Sequence, residues 1–188
     1  MAILQSAAAQ DRPIQGETAS AEAYDRPRWY ALYTNGRHEK RVAELLSNHQ
    51  VDCYLPLYRS VRRWRDRRKE VDLPLFPGYV FVRIPWRSRL GVLTVPGVVQ
   101  FVTFSGKPAP IADSELEALR HGLGCSSGIE PHPYLKAGKR VRVRSGPFAG
   151  MNGILVRRKN AYRLVLSIDL IMRSLSVEVD EAEIEPAN

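Results

Sequence analysis

Gly138-Lys139-Arg140-Val141-Arg142-Val143-Arg144-Ser145-Gly146-Pro147-Phe148-Ala149-Gly150-Met151-Asn152-Gly153-Ile154 is the stretch on which the fold turns. Val141 and Val143 alternate with Arg140, Arg142 and Arg144, the period-2 pattern of a strand with one buried face. Gly146, Pro147 and Gly150 then break the strand. Glycine permits positive φ, and proline holds its own φ at about −65°. Phe148 lies in that turn, placed to plug the end of a barrel, and Gly153 opens the return strand. By itself, Ser145-Gly146-Pro147 is an ordinary hairpin turn. The alternation continues downstream, however. Leu164, Leu166 and Ile168 alternate with Arg163 and Ser167, and Leu175, Val177 and Val179 alternate with Ser176, Glu178 and Asp180. Such a pattern predicts a small five-stranded β-barrel over residues 135–188, closed so that no sheet edge is left open.

Upstream of the barrel, residues 122–134 are rich in Gly, Ser and Pro and read as a linker. Residues 27–121 alternate strands and helices. Trp29 to Thr34 is an aromatic-rich strand ended by Asn35-Gly36. Arg37 to His49 is a helix with Val42, Leu45 and Leu46 on one face. Val51 to Tyr58 is a strand that carries Pro56. Tyr79 to Val82 and Val98 to Phe104 are further strands, with a short helix near Arg87 to Leu93. A last helix starts at Asp113, with Asp113 or Ser114 as its cap. The fold class is therefore α+β with two domains. An α/β sandwich with a mainly antiparallel sheet precedes the barrel. Residues 1–26 have no period and a charge of −2, and they form a disordered tail.

The chain has 188 residues, a net charge of +8 and 44% hydrophobic residues, enough for a core. The basic balance favours polyanionic partners. No apolar run reaches the roughly 20 residues of a bilayer span. The amino terminus lacks the basic flank of a signal peptide. The expectation is a cytoplasmic monomer with no membrane contact. Cys53 and Cys125 have no partners at metal spacing and read as free thiols. His38, His49, His121 and His132 form no metal pair and stand beside no nucleophile in a recognisable turn. No glycine loop suits a phosphate. The reading is of a non-enzyme without metal or cofactor.

The spacing of Gly138, the valines, Gly146-Pro147-Phe148, Gly150 and Gly153 resembles the KOW motif of ribosome- and polymerase-associated proteins. Trp29-Tyr30, Phe76-Pro77-Gly78-Tyr79-Val80-Phe81-Val82, Val95-Pro96-Gly97-Val98-Val99 and Pro108-Ala109-Pro110-Ile111 resemble, in that order, the amino-terminal (NGN) domain of the NusG/RfaH transcription elongation factors. The resemblance covers about residues 28–186. Arg37-His38-Glu39-Lys40, Tyr54-Leu55-Pro56-Leu57 and Trp64-Arg65-Asp66-Arg67-Arg68-Lys69 look like the specialised UpxY-type paralogs, antiterminators of long polysaccharide operons.

This resemblance implies that the first domain binds the β′ clamp helices of RNA polymerase through Tyr33, Phe76, Tyr79 and Phe81. Ser88 and Arg89 fall where the β gate loop is met. Arg37, His38, Lys40 and Arg41 correspond to a helix face that touches non-template DNA. The barrel rim, here Ile168, Leu170 and Ile171, corresponds to the surface for ribosomal protein S10 (NusE) or the termination factor Rho. Beside the resemblance, Arg59 to Lys69 holds seven basic residues and one acid and reads as a hairpin arm. Arg62, Arg63, Arg65, Arg67 and Arg68, with Trp64 near the tip, suit upstream DNA or RNA. The barrel sequence is split in charge. Residues 135–163 carry nine basic groups and no acid, while residues 164–188 carry six acids and Arg173.

Three functional readings result. The first is an elongation and antitermination factor that raises polymerase processivity on a long polysaccharide-type operon. The second is a general NusG that promotes Rho-dependent termination and couples transcription to translation. The third is a ribosome- or RNA-binding KOW protein with no polymerase role. The retained glycines and alternation predict a stable barrel rather than a helical hairpin.

Overall fold

In the computed structural model, the described residues are 25–64, 67–125, 129–132, 138–158, 161–168, 171–179 and 183–187, with side chains left out at 62–69, 130, 139, 157, 158, 161–163 and 167. Residues 1–24 of the expected tail at 1–26, Arg65 and Leu170 lie outside these residues. So do the side chains of Arg62, Arg63, Trp64, Arg67 and Arg68. Asp25 forms a 3.1 Å ion pair with Arg87.

The amino-terminal half is built on one antiparallel sheet. Its strands are β1 (Arg28–Thr34), β2 (Asp52–Tyr54), β5 (Tyr79–Ile84) and β6 (Val98–Phe101), in the order β2-β5-β1-β6. The register sets Tyr30 opposite Val82, Ala31 opposite Phe81, Leu32 opposite Val80 and Tyr33 opposite Tyr79. Directly opposed residues share a face, so the two faces can be listed from the register. Tyr30, Leu32, Val80 and Val82 meet helix α1 (Glu39–Asn48) through Val42 and Leu46. Trp29, Ala31 and Phe81 lie on the other face, in the same buried cluster as Leu75, Phe76 and, from helix α3 (Asp113–Cys125), Leu116 and Leu119.

The alternation alone called for one face in the core and left the other for a third element or a partner. The structure covers both. Trp29 to Leu32 and Val80 to Val82 are therefore buried without a break, the pattern of a central strand between two layers.

Pro56 splits the expected Val51 to Tyr58 strand. Beyond it, β3 (Leu57–Trp64) and β4 (Arg67–Pro74) form a separate two-stranded ribbon, paired from Leu57↔Pro74 to Trp64↔Arg67. A 3₁₀ turn at Trp86–Ser88 leads into the short α2 (Arg89–Leu93). The expected Val98 to Phe104 strand also divides. Its end forms β7 (Thr103–Phe104), which turns through Ser105-Gly106 into β8 (Lys107–Pro108).

The second sheet takes β10 (Lys139–Val143), β11 (Asn152–Arg158), β12 (Ala161–Ile168), β13 (Arg173–Val179) and β14 (Ile184–Pro186) from the expected barrel segment. A further strand, β9 (Glu130–His132), comes from the Gly/Ser/Pro-rich stretch and pairs with β13. The order is β14-β10-β11-β12-β13-β9, antiparallel throughout. Val141, Val143, Leu164, Leu166, Leu175 and Val177 form its core. Gly146 and Gly150 have φ of 86° and 89°, as the turn reading required.

Arg120 of α3 anchors that helix to the first sheet. Its guanidinium stacks 4.6 Å from the Tyr54 ring and 5.5 Å from the Trp29 ring. Burial pushes the Tyr54 hydroxyl up from 10.0 to about 12, with Arg120 opposing the shift. A raised folded value means that the unfolded chain loses this proton first. The contribution of Tyr54 to stability is therefore complete below pH 10 and fades as pH rises towards about 12. Tyr54→Phe is expected to lose less stability than the unmodified protein across that interval. Urea unfolding at stepped pH is the measurement, and parallel curves for the two proteins contradict it.

Candidate interaction surfaces

The turn Phe76-Pro77-Gly78-Tyr79 is closed by the Tyr79 N–H donating to the Phe76 carbonyl at 3.1 Å and is tied to its surroundings by two further hydrogen bonds. Gly78 has φ of 85°, and its N–H donates to Oε1 of Glu39 at 2.7 Å. The Thr34 N–H donates to the Gly78 carbonyl at 2.8 Å. Glu39 is buried in the first turn of α1, where a carboxylate also meets the positive end of the helix. One acidic side chain thus ties α1 to the start of β5.

The four residues matched to the clamp contact lie in this turn and on the two strands beside it. Phe76 and Phe81 are fully buried, their rings perpendicular with centroids 6.2 Å apart. They belong to the core that supports the patch. Tyr33 and Tyr79 stand side by side with ring centroids 5.6 Å apart. Tyr33 is 42% exposed, whereas Tyr79 is half-buried. The guanidinium of Arg173, from β13 of the second sheet, stands 5.7 Å from the Tyr79 ring. A second contact joins the same two halves. Phe148 packs on α3 at Gly122, where an added Cβ would collide with its ring.

Ile168 and Ile171, matched to the barrel rim, are buried in the apolar cluster that also holds Phe76, Phe81 and Phe148. Among the described residues, Met172 is exposed at that rim, a non-glycine residue with φ of 49°.

Arg37, His38, Lys40 and Arg41 all project to solvent at the amino end of α1. His38 is the cap residue and makes no side-chain capping bond. The neighbouring Gly97, with φ of 97°, leaves no space for a Cβ beside Val42 and His38. This glycine lets the Val95 to Val99 segment lie against α1.

The β3–β4 ribbon extends over eight residue pairs, about 24 Å at the usual strand rise. Arg62 opposes Lys69, Arg63 opposes Arg68 and Trp64 opposes Arg67. Like charges opposite one another weaken a ribbon, so stability does not account for the Arg62–Lys69 and Arg63–Arg68 rungs. Nearer the root, Arg59 and Glu70 form an exposed 3.6 Å ion pair.

Ser88 is exposed. Arg89 is partly held, stacked 5.6 Å from the Trp86 ring and donating from Nη1 to the Trp86 carbonyl at 3.4 Å. Beside them, Leu90, Leu93 and Val99 are exposed. Sequence reasoning missed this apolar group, because apolar residues spaced three apart on a helix read as a core face. It also missed Arg120 and Arg173, whose cation–π roles depend on rings distant in sequence. Among the described residues, no group of three or more His, Cys, Asp or Glu is arranged for a metal. No helix of the described residues is long and apolar enough to cross a membrane.

A sequence profile described as "Transcription termination factor nusG" matches residues 27–120. The transcription termination/antitermination protein NusG of Escherichia coli K12 is 31% identical over 175 residues, covering 85% of this chain and 96% of that protein. Its counterpart from Buchnera aphidicola is 30% identical over 173 residues, covering 84% and 95%. The chain belongs to the NusG family. A solved structure of Thermotoga maritima NusG, titled for its domain interaction, matches with a TM-score of 0.56 at 24% identity, covering 88% of this chain and 99% of that one. This last likeness supports the fold.

Replacing Glu39 by alanine strands the Gly78 N–H in a buried turn, at a cost of about 1–3 kcal/mol. The expected outcome is a lower unfolding midpoint in urea with an unchanged slope. A midpoint equal to that of the parent chain contradicts the role given to this carboxylate.

Proposed function

We propose that this NusG-family chain is a transcription elongation and antitermination factor. It binds RNA polymerase through its first domain and raises processivity without catalysis. The observation that carries the reading is the Tyr33–Tyr79 pair, an exposed and a half-buried ring side by side next to the buried Phe76–Phe81 pair. Two rings side by side offer large contact area for little lost side-chain freedom, as in interaction hot spots. The β′ clamp helices are the proposed partner of this surface. Ser88, Arg89 and the exposed Leu90 are proposed to meet the β gate loop. Holding both sides of the cleft favours the closed, elongating state, since a ligand shifts an equilibrium by its differential affinity for the two states.

The basic elements complete the reading. Arg37, His38, Lys40 and Arg41, together with the ribbon tip, are proposed to contact non-template or upstream DNA through phosphates. Ile168, Leu170 and Ile171 are proposed to engage ribosomal protein S10 (NusE) or Rho once the second sheet leaves the first. Arg173 must also leave the Tyr79 ring before the clamp helices can cover it.

Operon-specific antitermination of the UpxY type is favoured over general Rho-dependent termination by the basic ribbon. Its rungs weaken the fold and therefore ask for an anionic partner. Run-through on a Rho-dependent template separates the two, because a general NusG shortens transcripts there and an antiterminator lengthens them.

Tyr33→Ala with Tyr79→Ala is expected to lower polymerase affinity at least tenfold, about 1.4 kcal/mol, with the fold intact. Arg173→Ala is expected to raise affinity by freeing Tyr79. Pull-down titration with purified polymerase measures both. Retention of full affinity by the double tyrosine variant defeats the proposed clamp site.

A further inference from the structure

The dipeptide Asn-Gly occurs twice in the chain, at Asn35-Gly36 and at Asn152-Gly153. The two copies sit in opposite settings. Asn35 and Gly36 are exposed in the turn between β1 and α1. That turn is closed by the His38 N–H, which donates to the Asn35 carbonyl at 3.1 Å. Beyond its chain neighbours, Gly36 has no heavy atom within 4 Å of the place a Cβ would take. Among the described residues, neither the Gly36 N–H nor the Asn35 side-chain amide makes a hydrogen bond. Gly153, by contrast, is locked in the second sheet. It pairs with Val141 on one side and with Leu166 on the other. A Cβ there would lie 2.8 Å from the Leu164 side chain and from the Val165 carbonyl.

We propose that Asn35 is a site of spontaneous modification, converted through a cyclic succinimide to aspartate and isoaspartate. The Gly36 nitrogen attacks Cγ of Asn35 and forms a new N–Cγ bond. The Cγ–Nδ2 bond breaks, the N–H proton passes to the departing nitrogen, and ammonia leaves. Water then opens the ring. Cleavage of the new N–Cγ bond gives aspartate. Cleavage between that nitrogen and the main-chain carbonyl carbon gives isoaspartate, whose main chain runs through Cβ and Cγ. No electrons are exchanged, and water is the only co-reactant. At Asn35 the attacking N–H is free, and no side chain on Gly36 blocks its approach. The exposed Arg37, Lys40 and Arg41 and the positive end of α1 favour the anionic nitrogen that attacks. At Asn152 the ladder must first open locally before Gly153 can turn towards Cγ. Either product replaces a neutral amide by a carboxylate beside Arg37, His38, Lys40 and Arg41. The positive charge at the amino end of α1 thus falls by one as the protein ages. This chemistry holds whether or not that end meets DNA.

The test incubates the full chain in mildly alkaline buffer. The tryptic peptides 29–37 and 145–157, each carrying one Asn-Gly, are followed by mass spectrometry against an unincubated sample. Main-chain fragmentation separates isoaspartate from aspartate. Conversion at Asn35 is expected to be at least about tenfold faster than at Asn152, which corresponds to about 1.4 kcal/mol or more for opening the ladder. In guanidinium the two rates are expected to converge. Gly36→Ala, which the open space and the absence of a positive φ both accept, is expected to slow conversion sharply. Circular dichroism verifies that this variant folds. An intact Asn35, or equal rates at the two positions in the folded chain, overturns the proposal. A difference that persists in guanidinium does so as well, since local sequence then explains it. Undiminished conversion in Gly36→Ala also overturns it, because direct hydrolysis of the amide needs no glycine.

Discussion

The pairing of β1 with β5 is the constraint on which the rest of this molecule depends. Leu32 against Val80 and Ala31 against Phe81 place fully buried side chains on both faces of one strand pair. Each large apolar group removed from water contributes about 1.5–3 kcal/mol, and both faces are covered by helices. Once this pair is in register, α1 must lie on the Leu32 face and α3 on the Phe81 face. Tyr33 and Tyr79 then emerge together at one end of the pair. The Glu39 carboxylate on the Gly78 N–H holds that end in place. The proposed polymerase surface is thus a consequence of strand register more than of any loop.

The cations serve different ends. Arg120 rests on Tyr54 and Trp29, Arg89 on Trp86, and Arg173 on Tyr79. These arginines have aromatic partners within the chain and serve packing. Arg83 and Arg87 form exposed ion pairs with Asp113 and Asp25, and a further set stands on the ribbon, at the amino end of α1 and along β10. There they oppose like charges or face solvent. Repulsion within such groups lowers the stability of the free chain and is relieved by an anion. The net charge of +8 therefore understates the functional signal, because much of it is concentrated on a few elements.

The two halves share one apolar cluster. Phe148 against Gly122 and Arg173 over Tyr79 link surfaces that the family resemblance assigns to different partners. Ile168 and Ile171 are buried in that cluster. A surface already in contact with its own chain must be released before a partner uses it, and the cost of release lowers the apparent affinity. The Arg173–Tyr79 stack is single and only half-buried, so its share of that cost is modest.

The local events are legible in the order of residues alone. Alternation in Lys139 to Val143 and Leu164 to Ile168 specified strands, and Gly146 and Gly150 specified positive φ. The motif order named the family, and the density of arginine marked the ribbon. All of these are properties of neighbouring residues and of backbone sterics, which a linear pattern records directly. Packing between distant elements is what buries Phe76 and Phe81 while leaving Tyr33 exposed and Tyr79 half-buried beside it. It likewise decided that Arg120 and Arg173 find rings, that Glu39 caps a turn 39 residues away and that Glu130–His132 becomes an edge strand. Each depends on what the second face of a strand meets. Period-2 alternation shows that a strand has two faces, but the side that stays dry is set by packing between elements far apart in the chain.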